Sequence, residues 1–289
     1  MHKPTIVCWG ELVWDLLPSG PRLGGALANV AYHLAKLGAH PVLVTRVGDD
    51  ELGRKAVVAL AAAGVDVRFV QVDPVRPTGT VQVTLVDGEP RFRIGTEAAW
   101  DAMTLDDALL PVLAAADAVV FGTLAQRTSL AEGALVSALA VTRGLRVCDL
   151  NLRPPHDTFE VMTRILRTTD VVKCNEAEAA AVGRAYAVED AVAELVEHGL
   201  VVALTRGARG AGLVREDDEA DHGGCLAEPG GDNVGCGDAF TAVLTLGLLA
   251  GTPPQRLVAQ ACEYGSFVAS QVGAMPEVPE PVARAARPG

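Results

Sequence analysis

Ten residues, GDNVGCGDAF at 231–240, hold three glycines, two aspartates and a cysteine, and an apolar run, TAVLTLGLLAG, follows them directly. Gly235 and Gly237 permit positive φ and a close approach to the backbone. Consecutive N–H groups at a helix start make an anion nest, which the helix dipole reinforces. A phosphate would be well held there. Asp238 falls in the first turn of the same helix. A carboxylate beside a bound phosphate is electrostatically awkward unless it has a task, and taking a proton from an attacking hydroxyl is one. A second reading stays open on these residues alone: a Gly-rich turn in which Asp238 steadies the helix start.

A second glycine-rich element is LGGALANVAYHLAKLGA at 23–39. Gly24 and Gly25 precede an Ala-rich helix with a single polar residue, Asn29, in its first turns. Small residues admit another group close to the backbone, and an amide offers both donor and acceptor to a polyol. A tightly packed helix with a satisfied Asn is the alternative. Asp15 is a matching acid near the same sheet edge, and could equally cap a turn. Other nucleotide signatures fail: there is no GxxxxGK[ST], no GxGxxG after the first apolar run and no GxSxG.

The elements that must position these residues follow a βαβ rhythm. Apolar runs at 4–9, 41–47, 117–122, 145–150, 170–174 and 200–205 read as strands, mostly without alternation, as parallel strands covered on both faces require. Helical spacing predicts helices over 25–37, 52–63, 105–115, 129–143, 157–168, 188–198, 237–250 and 254–271. This pattern predicts one α/β domain over 1–289, a doubly wound, mostly parallel sheet with sites at the C-terminal strand ends. The stretch TGTVQVTLVDGEPRFRI, 78–94, alternates at period two around Asp87-Gly88, a hairpin signature. It reads as an extra edge hairpin or as a small antiparallel β-lid, formed by about 10–18 and 78–98, that excludes water from a substrate. The acidic run 216–221 reads as a solvated turn, and the tail PEVPEPVARAARPG as loose at its end.

Composition narrows the function. The chain has 289 residues, 49% of them hydrophobic, and a formal net charge of −12. That charge argues against a nucleic-acid or anionic-membrane surface. The six cysteines include no CxxC pair and the six histidines no HxxxH or HExxH, so free thiols in a reducing compartment fit better than disulfides or zinc. With no secretion signal and no run of 18 apolar residues, a cytoplasmic location is expected.

Taken in order, these motifs resemble the ribokinase-like (PfkB) family of sugar kinases. GGALANVAYHLAKLGA resembles the family's N-terminal signature, VGDDELG (47–53) its continuation, and DNVGCGDAF its C-terminal signature. CNEAE (174–178) is similar to its NxxE element, and LTRGARGA (204–211) to its TxGxxG. The resemblance implies a Rossmann-like domain with a β-lid, ATP, Mg²⁺ and phosphoryl transfer to a sugar hydroxyl. It implies Asp238 as the base and the backbone of Gly235, Cys236 and Gly237 as the anion hole. It further implies Asn175 and Glu178 at Mg²⁺, partly through water, with Asn175, Thr205, Gly207 and Gly210 at the nucleotide. Asp15, Gly24, Gly25 and Asn29 would then hold sugar hydroxyls. Part of the family also holds a monovalent cation such as K⁺, a site that Asn233-Val234 leave open here.

Within the family, WGELVWDLLP, PTGTVQV, EAAWD (97–101), FGTLAQR (121–127) and DLNLRPP (149–155) resemble the fructokinase branch. Related 2-keto-3-deoxygluconate kinases use an Arg in a similar DxNxR element for an anionic ligand. Arg153 would thus meet ATP phosphate, a sugar-acid carboxylate or a structural Asp. Trp14 and Phe92 would pack on the sugar from the lid or within the lid itself. Cys236 replaces the usual Ala. Its thiol at a helix start would be acidic and oxidation-sensitive, unless only its backbone N–H matters. The remaining expectations are a homodimer through the lid edge and, as the reading from another class, a non-catalytic sensor.

Overall fold

The computed structural model describes residues 3–86, 89–156 and 158–289. The strands are β1 (Thr5–Trp9), β2 (Val13–Leu17), β3 (Gly20–Gly24), β4 (His40–Gly48), β5 (Val70–Asp73), β6 (Gly79–Val86) and β7 (Glu89–Ile94). They continue with β8 (Ala118–Gly122), β9 (Leu145–Asp149), β10 (Val171–Asn175), β11 (Val201–Thr205), β12 (Ala211–Arg215) and β13 (Asp218–His222). The helices are α1 (Ala26–Lys36), α2 (Glu51–Ala62), α3 (Leu110–Ala115), α4 (Ser129–Val141), α5 (Phe159–Arg167), α6 (Glu176–Tyr186), α7 (Ala191–Glu197), α8 (Cys236–Leu249), α9 (Pro254–Ala269) and α10 (Glu280–Ala286).

The large sheet runs β13-β12-β11-β10-β9-β8-β1-β4-β5, parallel from β11 to β5 and antiparallel at β12 and β13. Side chains alternate across it: Ile6 and Cys8 point to one layer of helices, Val7 and Trp9 to the other, and all four are fully buried. On the first face lie α1, α2, α8, α9 and α10, and on the second α3, α4, α5, α6 and α7. Burial on both faces is why the central strands read as continuous apolar runs.

The smaller sheet runs β3-β2-β6-β7. β2–β3 and β6–β7 are antiparallel, whereas β2 and β6 run parallel from Val13↔Gly79 to Leu16↔Gln82. Its two roots are fastened to the main body by polar clusters. At the start of β6, Asp50 caps α2 and accepts hydrogen bonds from the backbone N–H (2.8 Å) and hydroxyl (2.7 Å) of Thr78. At the end of β7, Arg127 bonds both oxygens of Asp101 (2.6 and 2.7 Å) and the carbonyl of Gly95 (2.7 Å), and its guanidinium lies 4.0 Å from the Trp100 ring. The EAAWD and FGTLAQR motifs therefore meet in one buried ion pair. The Asp87-Gly88 turn lies outside the described residues.

Several boundaries differ from expectation. The helix predicted over 105–115 is a 3-10 turn, Asp107–Leu109, followed by α3. The acidic run is a turn only at 216–217, and Asp218–His222 pair with β12 as an edge strand. An edge strand needs one buried position, which Ala220 supplies, while its charged neighbours guard the open side. The tail is not loose: α10 buries Ala283 and Ala286, and Arg287 donates to the carbonyls of Leu37 and Lys36.

Candidate active site

Three C-terminal strand ends and two helix starts build the site. Gly235 precedes α8 at φ 80°, a left-handed conformation suited to glycine. A Cβ there would also lie 2.6 Å from the Ala274 methyl. The N–H groups that follow, of Cys236 and Gly237, fall in the first turn, where an α-helix offers them no partner. Asp238 is one step further in, and its Oδ2 accepts a 2.7 Å hydrogen bond from Asn29 Nδ2. Burial above all, and then the Asp149 carboxylate, push the Asp238 carboxyl up to about 7. Asn29 and Lys173 pull the other way, and Glu11 adds to the rise.

The second helix start is that of α1. Gly25 (φ 104°) has no side chain to cap the helix, and a Cβ would sit 2.5 Å from the Glu11 carbonyl oxygen. The buried Glu11 carboxylate does the capping instead, with Oε1 3.1 Å from the Ala26 N–H. Asp15 lies above Gly24: a Cβ there would stand 3.1 Å from its Oδ2. Burial pushes the Asp15 carboxyl up, with Arg22 partly compensating. Asp15, Gly24, Gly25 and Asn29 thus form one wall that ends at Asp238. Arg22 crosses from β3 to Asp232, in the loop before α8, at 3.0 Å.

On the other side of the nest, a cavity of about 380 Å³ is lined by Thr205, Gly207 and Gly210 together with Cys236 and Gly237. Asn175 is paired with Thr205 in register at the ends of β10 and β11. Asn175 and Glu178 form a capping box at the start of α6: Glu178 N–H donates to Asn175 Oδ1, and Asn175 N–H to Glu178 Oε2, both at 2.9 Å. Glu178 Oε1 also accepts from Leu152 N–H at 3.0 Å. Each oxygen of this pair keeps a lone pair. These are hard donors that suit Mg²⁺ held through its own waters, the usual habit of that ion.

Other expectations fare differently. Arg153 donates to the neighbouring Leu152 carbonyl at 3.0 Å and lies within electrostatic reach of Glu11. Trp14 gives its indole N–H to Leu52 O at 3.1 Å, tying β2 to α2. Phe92 is on β7 opposite Val83, and its side chain lies outside the described residues. Burial raises rather than lowers the Cys236 thiol, with Asp238 adding to the rise, so the acidic-thiol reading is replaced by a protonated one. All six cysteines are free, and no cluster of metal-binding side chains occurs among the described residues. Sequence reasoning missed Glu11, Asp149, Lys173 and Thr241, which sit beneath the nest and the helix starts. The signal available was a lysine inside the otherwise apolar strand run DVVKC.

A model of the pfkB family carbohydrate kinases matches residues 21–281. The chain belongs to this family. It is 31% identical over 294 residues to a fructokinase of Klebsiella pneumoniae, covering 93% of this chain and 94% of the relative. A fructokinase of Vibrio cholerae, solved with fructose, ADP and calcium, superposes with a TM-score of 0.80 at 25% identity, covering 98% of each chain. A sugar kinase of Pyrococcus horikoshii solved with ATP gives a TM-score of 0.77 at 25% identity, covering 93% of this chain and 94% of that one. A pfkB carbohydrate kinase is by family an enzyme of the kinase class, and the two-sheet α/β architecture is the one its solved relatives share.

Proposed function

We propose that this pfkB kinase phosphorylates a sugar hydroxyl at the expense of ATP, with fructose the first candidate acceptor. The observation that carries the reading is the part-buried Asp238 carboxylate, held by Asn29 at the mouth of an αL-capped helix. A carboxyl near 7 is poised to take a proton at neutral pH, where the Brønsted compromise between basicity and ionisation is best.

Asn29 Oδ1 is buried without a hydrogen-bond partner, an acceptor that a sugar hydroxyl would satisfy. Asp15 would accept a second hydroxyl. Thr205, Gly207 and Gly210 would line the nucleotide, and the backbone of Gly235, Cys236 and Gly237 would hold the transferring group. Asn175 and Glu178 would orient the waters of Mg²⁺. ATP supplies the phosphoryl group and Mg²⁺ neutralises its charge, so the chain's contribution is positioning and a preorganised field. The smaller sheet would act as the lid, excluding water, with its strand edge available to a second copy in a dimer. A monovalent cation such as K⁺ would sit near the 231–235 loop.

A second reading, a sugar acid such as 2-keto-3-deoxygluconate, draws on Arg153, whose hydrogen bond to Leu152 leaves guanidinium donors for a carboxylate. Coupled ADP release with fructose, ribose, adenosine and 2-keto-3-deoxygluconate separates the two. Turnover on fructose is expected; activity confined to the sugar acid would favour the second, and activity on none would restore the sensor reading.

A further inference from the structure

Lys173 is a charged residue in the middle of the large sheet, on β10, with its side chain 8% exposed. Its ammonium lies 3.1 and 3.2 Å from the two oxygens of Asp149, itself 1% exposed at the end of β9. Thr241 completes the cluster: its hydroxyl is 2.9 Å from Asp149 Oδ2 and 3.0 Å from the Gly237 carbonyl. The pair is therefore joined to the first turn of α8. It also reaches the nest directly, because a Cβ on Gly237 would stand 3.0 Å from Lys173 Nζ.

Stability alone does not account for such a pair. Desolvating two charges costs about what their attraction returns, and apolar residues of the same volume hold strands at least as well. What the pair does is set a fixed positive charge directly behind the glycine of an anion nest. Burial disfavours the ammonium, yet the carboxylates of Asp149, Glu178 and Asp238 outweigh it and hold Lys173 charged.

We propose that Lys173 is a positioning residue of the phosphoryl site: clamped by Asp149, it reinforces the nest through Gly237 and sets the field at Asp238. This rests on the kinase reading above. The groups facing Asp238 are Asn29 from α1, Asp149 from β9, Lys173 from β10, Glu11 from the turn after β1, and Cys236 on its own helix. Of these, Lys173 draws the carboxyl down and Asp149 pushes it up. The two halves of one ion pair therefore act on Asp238 with opposite signs.

The test compares Lys173→Met and Asp149→Asn by the pH dependence of kcat/KM for MgATP with the sugar the wild type uses. Lys173→Met is expected to move the acidic limb to higher pH and to lower kcat about 100-fold, the scale of losing one preorganised donor. Asp149→Asn is expected to move the limb to lower pH. Lys173→Arg should restore part of kcat. Limbs that stay in place, or move in the same direction, overturn the proposal. If a single variant does not fold, the charge-neutral pair Lys173→Met/Asp149→Leu replaces it, and a near-wild-type kcat there overturns the proposal equally. Titration of Asp238 by carboxyl ¹³C NMR, assigned by difference with Asp238→Asn, needs no turnover. The opposite shifts should appear there even for a chain that phosphorylates none of the sugars tried, and their absence overturns the proposal whatever the substrate.

Discussion

Asn29 Nδ2 donates to Asp238 Oδ2 at 2.7 Å across 209 residues of sequence, joining the first turn of α1 to the first turn of α8. One amide thus holds the proposed base and leaves its own oxygen, buried and unpaired, for a hydroxyl. Asn29→Ala removes both functions. It should raise the sugar KM and, because the amide bond pulls the Asp238 carboxyl down, move the acidic limb of the pH profile upward. Steady-state kinetics between pH 5 and 9 checks this, and an unchanged limb would separate Asn29 from the base.

The same carboxyl makes a stability prediction of definite sign. Its folded value near 7 lies above the ordinary 3.8, so between those values the native state binds a proton that the unfolded chain has released. Stability contributed by Asp238 therefore falls as pH rises from about 4 to about 7 and stays lower above it. Asp238→Asn should be more stable than the wild type at pH 8, by on the order of a few kcal/mol, with little difference at pH 4. It should also lose kcat by roughly 100-fold or more. Thermal melts at the two pH values decide the first point.

Gly235 and Gly237 should not respond alike to alanine. Gly235 combines φ 80° with a Cβ position 2.6 Å from Ala274, a residue of the segment packed against the loop. Gly237 has no positive φ, and its added methyl would meet only the end of the Lys173 side chain, at 3.0 Å. Gly235→Ala should lose both Tm and kcat, whereas Gly237→Ala should keep most of its Tm and lose kcat. Equal melting losses in the two would show that the ammonium cannot yield.

Legibility followed burial. TIVCW and VVALT announce central strands because both their faces are covered, and GGALAN and GCGDAF announce helix starts through glycines, of which Gly25 and Gly235 take positive φ. DEADH did not read as a strand, since an edge position needs only Ala220 inside and tolerates acids elsewhere. Helix α6 was hidden because its cap, Asn175, is also the last residue of β10, so no break separates the two elements. At the site, the backbone-built nest could be read locally. Lys173 could not, because its meaning depends on Asp149, 24 residues away on a neighbouring strand.

The ion pair at the root of the smaller sheet is the last case, and here geometry outweighs charge. Arg127 and Asp101 are 5% and 6% exposed, and the guanidinium bonds both carboxylate oxygens while lying over Trp100. Removing Arg127 would leave a buried carboxylate whose remaining partner is the Ala98 N–H at 3.0 Å, and would free the Gly95 carbonyl at the end of β7. Arg127→Met should therefore cost about 3–5 kcal/mol in urea unfolding. Arg127→Lys should recover little of that, because an ammonium cannot bridge two carboxylate oxygens and a carbonyl while stacking on an indole. If the sheet's root also governs closure, variants that still fold should show a raised sugar KM before any loss of nucleotide affinity. Full recovery by lysine would mean that a point charge suffices and that the planar fork is incidental.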